Sequence, residues 1–241
     1  MPSMPWRPWA PRTVTVSEPT ERAVHDGLAY VLYAPPAGAA GGVVILHGAG
    51  SAKESHLDFA RRCLAAGLAA IAFDARGHGA SEGALDGRAI ADVAGMAALL
   101  RARTGAAAIA LRGSSMGGYL ALAAAREAGA AAVVAICPAS AAGLRRGLRE
   151  GRFAFRADAE ALDATLAAHD ERDAAAALGD ALLLLHAEGD EVVPVEHSRE
   201  LHALAPGSRL IAIPGGHHRS IQHDAELQGE TVRWLRKRLG G

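Results

Sequence analysis

The residues that most restrict the fold are 107–118, Ala-Ala-Ile-Ala-Leu-Arg-Gly-Ser-Ser-Met-Gly-Gly. An apolar run, Ala107 to Leu111, enters a Gly-x-Ser-x-Gly pentad, Gly113 to Gly117, and an Ala- and Leu-rich helical stretch leaves it. A strand that turns at once into a helix places the central residue, Ser115, on a sharp corner projecting from a sheet edge. The flanking positions have to be small, because backbone there packs against backbone.

The rest of the chain supplies strands and helices in alternation. Gly42 to Leu46 is continuously apolar, as expected of a strand buried on both faces. Helical spacing at Leu57, Ala60, Cys63 and Leu64 predicts a helix over His56–Ala66, stopped by Gly67. The same reading gives a strand at Leu68–Phe73, a helix at Ala89–Arg103, a strand at Ala107–Leu111, a helix at Met116–Ala128 and a strand at Val133–Cys137. It resumes later with Ala181–Leu185 (strand), Glu196–Leu204 (helix), Arg209–Ile213 (strand) and Ile221–Leu239 (helix). Between Ala139 and Gly179 no strand candidate occurs. That stretch holds a basic, Gly-punctuated piece (Leu144–Arg152), two aromatics (Phe153, Phe155) and a helical run through Leu162, Leu166 and His169, and it reads as a small helical cap insertion. Upstream, residues 1–11 read as an irregular arm carrying Trp6 and Trp9. Thr13–Val16 and Leu28–Tyr33 read as strands, with Asp26-Gly27 as the turn signal of a hairpin. The expected fold is therefore α/β: a mainly parallel, doubly wound sheet with helices on both faces and an N-terminal antiparallel hairpin, in one domain over residues 1–241.

Length and composition agree with one sizeable core: 241 residues, half of them hydrophobic and 21% charged. A net charge of −1 argues against a polyanion-binding surface, so no nucleic-acid partner is expected. No apolar run is long enough to span a bilayer, so no membrane partner is expected either. Met1 to Arg12 lacks the apolar core of a secretory signal, which points to a cytoplasmic location. Cys63 and Cys137 both fall in apolar stretches and read as buried free thiols, although spacing alone leaves a disulfide open.

Polar clusters follow the strands, where sites form in sheets of this kind. They are His47-Gly48-Ala49-Gly50, the pentad itself, His186-Ala187-Glu188-Gly189-Asp190, and Pro214-Gly215-Gly216-His217-His218. A free serine is a poor nucleophile near neutral pH and needs a base within hydrogen-bond reach and a group to orient that base. The chain offers Ser115, Asp190 and a histidine in that order. Ser114 is the rival nucleophile, but a pentad centred on it would put Arg112 and Met116 where glycines belong. Glu188 and Asp74 are rival acids, and His217 adjoins His218. His186, His217, His218 and His223 lack metal-ligand spacing, so neither a metal nor another cofactor is expected. His197 and His202 read as surface helix residues.

On these motifs the chain, from about Ala29 onward, resembles the α/β-hydrolase fold superfamily, in its serine esterase and serine aminopeptidase-like branch. The resemblance covers the pentad, His47-Gly48-x-Gly50, Asp74-x-Arg76-Gly77-His78-Gly79-x-Ser81, Gly189-Asp190-x-x-Val193-Pro194 and Pro214-Gly215-x-x-His218. It implies Ser115 as nucleophile, Asp190 as acid and His218 as base, with His217 left as the alternative. It also implies an oxyanion hole made by the backbone N–H groups of Ala49 and Met116. His47 would support that hole, and the Asp74–Ser81 loop would be structural. The expected activity is hydrolysis of small-molecule carboxylic esters through an acyl-enzyme, with Phe153, Phe155, Leu162 and Leu166 as pocket or lid residues. Peptidase or amidase, thioesterase or lipase activity, and an inactive binding module, are the alternatives. Asp158, Glu160 and Asp163 would be the carboxylates able to read a free amine.

Overall fold

A computed structural model describes residues 16–240. Eight strands form one sheet in the order β1-β2-β4-β3-β5-β6-β7-β8. They are β1 (Glu21–His25), β2 (Leu28–Tyr33), β3 (Gly42–Leu46), β4 (Ala69–Phe73), β5 (Ile109–Ser114), β6 (Ala132–Ile136), β7 (Leu182–Ala187) and β8 (Arg209–Ile213). Pairings among β3 to β8 are all parallel, whereas β1 with β2 and β2 with β4 are antiparallel. The mainly parallel sheet with its antiparallel edge hairpin is the expected architecture.

The first hairpin strand is not where the sequence placed it. Thr13–Thr15 lie outside the described residues, as does the arm at 1–11, and Val16 belongs to no strand. The strand is Glu21–His25, whose residues alternate between half-buried and exposed. An edge strand with one wet face carries Glu, Arg and His, so its apolar signal is weak. The turn is as predicted: Asp26 and Gly27 both have positive φ, 49° and 77°, as a two-residue hairpin turn of the primed type requires.

Alternation within each strand sends side chains to opposite faces and divides the core in two. Helices α1 (Leu57–Ala65) and α8 (Ala225–Arg238) cover one face, packing Phe59, Cys63 and Leu235 against Val43, Ile45, Val134 and Leu183. Helices α2 (Ala89–Thr104), α3 (Met116–Ala123) and α7 (Val195–Leu204) cover the other, with Met96, Leu100, Tyr119 and Leu201 against Val44, Ile71, Leu111 and Leu184. Three short helices, α4 (Ala141–Arg149), α5 (Ala159–Ala168) and α6 (Glu171–Leu178), occupy the stretch where no strand was expected. Their Leu144, Leu162, Leu166 and Ala175 join this second core. An isolated parallel bridge, Leu85 to Ala157, ties the segment to the loop after β4. Several boundaries move: β5 runs from Ile109 to Ser114, carrying Arg112 into the sheet, α3 stops at Ala123 rather than Ala128, β7 continues to Ala187, and α8 begins at Ala225 rather than Ile221. Both cysteines are buried and free. Among the described residues no helix is long and apolar enough to cross a membrane.

Candidate active site

The corner at Ser115 is strained in the way the pentad implies. Its φ of 56° and ψ of −119° lie outside the regions L-residues ordinarily populate. Three backbone bonds hold it: Ser115 N–H donates to Ile136 O (2.9 Å), and its own carbonyl accepts from Tyr119 N–H (3.1 Å) and Ala139 N–H (3.0 Å). A Cβ on Gly113 would collide with Gly117 O, and one on Gly117 would meet Leu46 O and lie 2.6 Å from His47 O. The glycines are thus the condition for β3, β5 and α3 to approach each other.

His47 fixes the neighbouring loop. Ala75 N–H donates to Nε2 at 3.0 Å, so the ring proton sits on Nδ1, which donates to Gly48 O at 2.8 Å. That pins the Gly48 carbonyl, and in a trans peptide the Ala49 N–H points the opposite way. Ala49 N–H donates to no described group, and Met116 N–H, in the first turn of α3, has no acceptor within its helix. Burial pushes the His47 imidazole down to about 4, with the Gly48 carbonyl partly opposing, so the ring is neutral. The following loop is structural: Asp74, fully buried, accepts from Lys53 N–H (2.8 Å), Lys53 Nζ (2.7 Å) and Ala80 N–H (2.8 Å). Arg76 pairs with Asp92, and His78 is buried against His47 and Phe155.

It is His218, not His217, that meets the acid. His218 Nδ1 donates to Asp190 Oδ2 at 2.7 Å, while His217 is exposed and its backbone N–H donates to Ser220 Oγ. The other Asp190 oxygen accepts the N–H groups of Val192 and Val193, both at 2.8 Å. Burial works against ionisation of this carboxyl, but hydrogen bonds from His186, His218, Val193 and Val192 outweigh it and hold it far below the usual carboxylate range. The rival acids are engaged elsewhere, Asp74 with Lys53 and Glu188 with Arg199.

His186 is a member of the site that the sequence reading weighed only as a metal ligand. It is fully buried beneath Asp190, with Nδ1 on Ser198 Oγ (2.7 Å), and Nε2 2.9 Å from Val193 O and 3.4 Å from Asp190 Oδ2. Cys137 completes the cluster. Burial raises its thiol far above the ordinary value, which keeps it neutral and a poor metal ligand. His197 is also not a surface residue: its ring, 10% exposed, lies 3.6 Å from the buried carboxylate of Glu171.

Ser115 and His218 line one cavity of about 230 Å³. Ser115 Oγ makes no hydrogen bond to a described residue. The remaining walls are Gly48, Ala49 and Ser114, with Ser51, Ser55, Arg219, Gln222 and His223. None of Phe153, Phe155, Leu162 or Leu166 lines it. They form an apolar seam with the side chains of Met116 and Tyr119, and the seam leaves only about 10 Å³ of free space, at most the room of one water molecule.

The comparisons with known proteins agree with this fold. The sequence model of the family described as serine aminopeptidase, S33, matches residues 37–155. The chain has the α/β-hydrolase fold. Solved structures superpose on most of its length. The monoacylglycerol lipase of Paleococcus ferrophilus has a TM-score of 0.67 at 21% identity, over 88% of this chain and 98% of that one. Est1E of Butyrivibrio proteoclasticus, solved with ferulic acid, gives 0.66 at 20% identity, over 90% and 98%. A thermostable carboxyl esterase of Bacillus coagulans gives 0.67 at 14% identity, over 87% and 92%. No curated protein matches the sequence. Around this site, Arg112, Gln222 and Arg219 were not singled out from sequence as site residues, and His223 was weighed only as a metal ligand. The one available signal was Arg112, a charge inside an otherwise apolar strand.

Proposed function

We propose that this α/β-hydrolase is a serine hydrolase that cleaves small-molecule carboxylic esters through an acyl-enzyme. The observation that carries this reading is the 2.7 Å contact of His218 Nδ1 with Asp190, on an imidazole that shares a cavity with the strained Ser115. His218 takes the Ser115 proton as the hydroxyl attacks the ester carbonyl. Asp190 holds the imidazole in the tautomer that leaves Nε2 free to accept, and stabilises the cation that forms. The N–H groups of Ala49 and Met116 receive the oxyanion, each such donor being worth about 3–4 kcal/mol. The histidine then protonates the leaving alcohol, and water activated by the same ring releases the acid. The serine-to-histidine hydrogen bond forms as substrate closes the site, as is common for catalytic contacts that are loose in free enzymes.

The ester reading is favoured over an aminopeptidase reading by charge. Asp163 is tied bidentately to Arg145, Asp158 caps α5, and neither of these nor Glu160 lines the cavity. Among the described residues no carboxylate lines the cavity to receive a free amine. The test is turnover of p-nitrophenyl esters of increasing chain length beside matched amides, thioesters and amino-terminal peptides, with Ser115→Ala as control. Ester turnover that disappears in Ser115→Ala is expected. Equal or faster turnover of amino-terminal peptides would overturn the assignment.

A further inference from the structure

The cavity beside Ser115 has a charge of one sign. Apart from His218, its lining holds one permanent cation, Arg219, with His223, Ser51, Ser55 and Gln222, and among the described residues no carboxylate lines it. Arg219 follows His218 directly in the chain, is exposed, and pairs with no described carboxylate or carbonyl.

A second positive charge stands behind the wall. Arg112 is 1% exposed, yet no described carboxylate lies within ion-pair distance of it. Its guanidinium touches His56 Nδ1 (3.0 Å) and donates to Gln222 O (3.0 Å), rests 4.4 Å over the Phe59 ring, and leaves Nε without a partner. Burial lowers Arg112 to about 10, with the charge of Asp58 opposing, so it remains a cation at neutral pH. Gln222, whose carbonyl it holds, and Ser55, next to His56, are cavity residues. Two carboxylates lie nearby and both are committed. Asp58 accepts from Gln228 (2.7 Å) and contacts His223 (3.1 Å) outside the cavity lining, and Glu191 accepts the His218 N–H (3.3 Å). A buried, incompletely compensated guanidinium raises the potential across a low-dielectric wall far more than a surface charge does. The apolar seam on the other side of the corner is closed, so the open space offered to a substrate is the cationic one.

We propose that this cavity takes an ester bearing a carboxylate, or a similar single negative charge, on the portion that lies beside Arg219, and that Arg219 determines this specificity. The inference rests on the serine hydrolase reading and narrows its substrate class. Arg219 supplies a charge-assisted hydrogen bond at the mouth, the Ser51 and Ser55 hydroxyls and the Gln222 amide provide further donors, and Arg112 contributes field without contact.

The test compares matched esters. Mono-p-nitrophenyl adipate against p-nitrophenyl hexanoate places the charge on the acyl side. 4-Carboxyphenyl hexanoate against 4-acetylphenyl hexanoate places it on the leaving group. In at least one pair the charged ester should be preferred in kcat/KM by about tenfold, the effect of one charge-assisted contact, mainly through KM and weakening with added salt. Arg219→Gln should remove most of that preference, Arg219→Lys should keep it, and Arg219→Glu should reverse it. Calorimetric titration of Ser115→Ala with mono-p-nitrophenyl adipate and p-nitrophenyl hexanoate reads binding without turnover. Tighter binding of the adipate ester, lost on adding Arg219→Gln, is expected. No preference in either pair, or a preference indifferent to the charge at 219, overturns the proposal while Ser115-dependent turnover of neutral esters leaves the hydrolase reading standing. Turnover that survives in Ser115→Ala strikes the hydrolase reading instead, and the titration still decides the anion site.

Discussion

Asp190 accepts more hydrogen bonds than orientation of one imidazole needs. Two backbone N–H groups hold one oxygen and His218 holds the other, with His186 alongside. An amide at this position would keep the shape but present an N–H where an acceptor is required, fixing the wrong tautomer of His218. Asp190→Asn is therefore expected to lower kcat by about 10³–10⁴-fold with little change in KM, measured on a short-chain p-nitrophenyl ester. The adjacent histidines provide a second residue-level comparison. His218→Ala should cost at least about 10³-fold in kcat, whereas His217→Ala, exposed and with only its backbone engaged, should stay within a few-fold of wild type. Both positions carry the same side chain, so sequence separates them only by loop spacing. Space separates them by 2.7 Å to Asp190 in one case and solvent in the other.

At the scale of elements, the glycines are unequal. Gly117 has backbone of β3 against the place a Cβ would occupy, and backbone cannot yield as a flexible side chain does. Gly117→Ala should destabilise the fold by about 1–3 kcal/mol or more and abolish turnover through displacement of Ser115. Gly95 lies inside α2 with nothing within 4 Å of an added Cβ. Gly95→Ala should stabilise by about 0.5–1 kcal/mol, and thermal melts of the two variants should move in opposite directions. The buried parallel strands were legible because each is a short unbroken apolar run, and the pentad was legible because only small residues survive at that corner. β1 was hidden, since three of its five residues are Glu, Arg and His and its apolar residues, Ala23 and the exposed Val24, fall on opposite faces. The environments of His186 and Arg112 were hidden for another reason. Each depends on an element distant in the chain, α7 for the first and the loop before α8 for the second, and no local pattern carries that proximity.

The whole molecule buries several imidazoles in neutral form. Burial lowers His47 to about 4 and lowers His56, His78 and His197 below their ordinary value. The unfolded chain takes up these protons near pH 6.5, but the folded chain does not. Their stabilisation is therefore complete above about 6.5, is lost progressively as pH falls, and for His47 is exhausted near 4. For His47 alone the loss is on the order of 3 kcal/mol. The carboxyls of Glu171 and Asp92, both raised first by burial, act in the opposite sense, favouring the fold at low pH. Four depressed histidines against two raised carboxyls, Glu171 and Asp92, predict a melting temperature that falls steadily from pH 7 to pH 4.5, and a His47→Asn variant should flatten that slope. A melting temperature that rises on acidification would contradict it. The pattern also follows from the fold: loops after successive parallel strands gather polar groups at one sheet edge, and the helices of residues 139–179 pack apolar side chains against the corner beside it.

The central claim is that Ser115, served by His218 and Asp190, is the nucleophile. Its most direct measurement is peptide mass mapping after reaction with a fluorophosphonate ester, which transfers its phosphonyl group to an activated serine. The expected result is one adduct per chain, on Ser115, forming at least about 10³-fold more slowly in His218→Ala. An adduct on Ser114, or ester turnover in a protein whose Ser115 remains unlabelled, would contradict it.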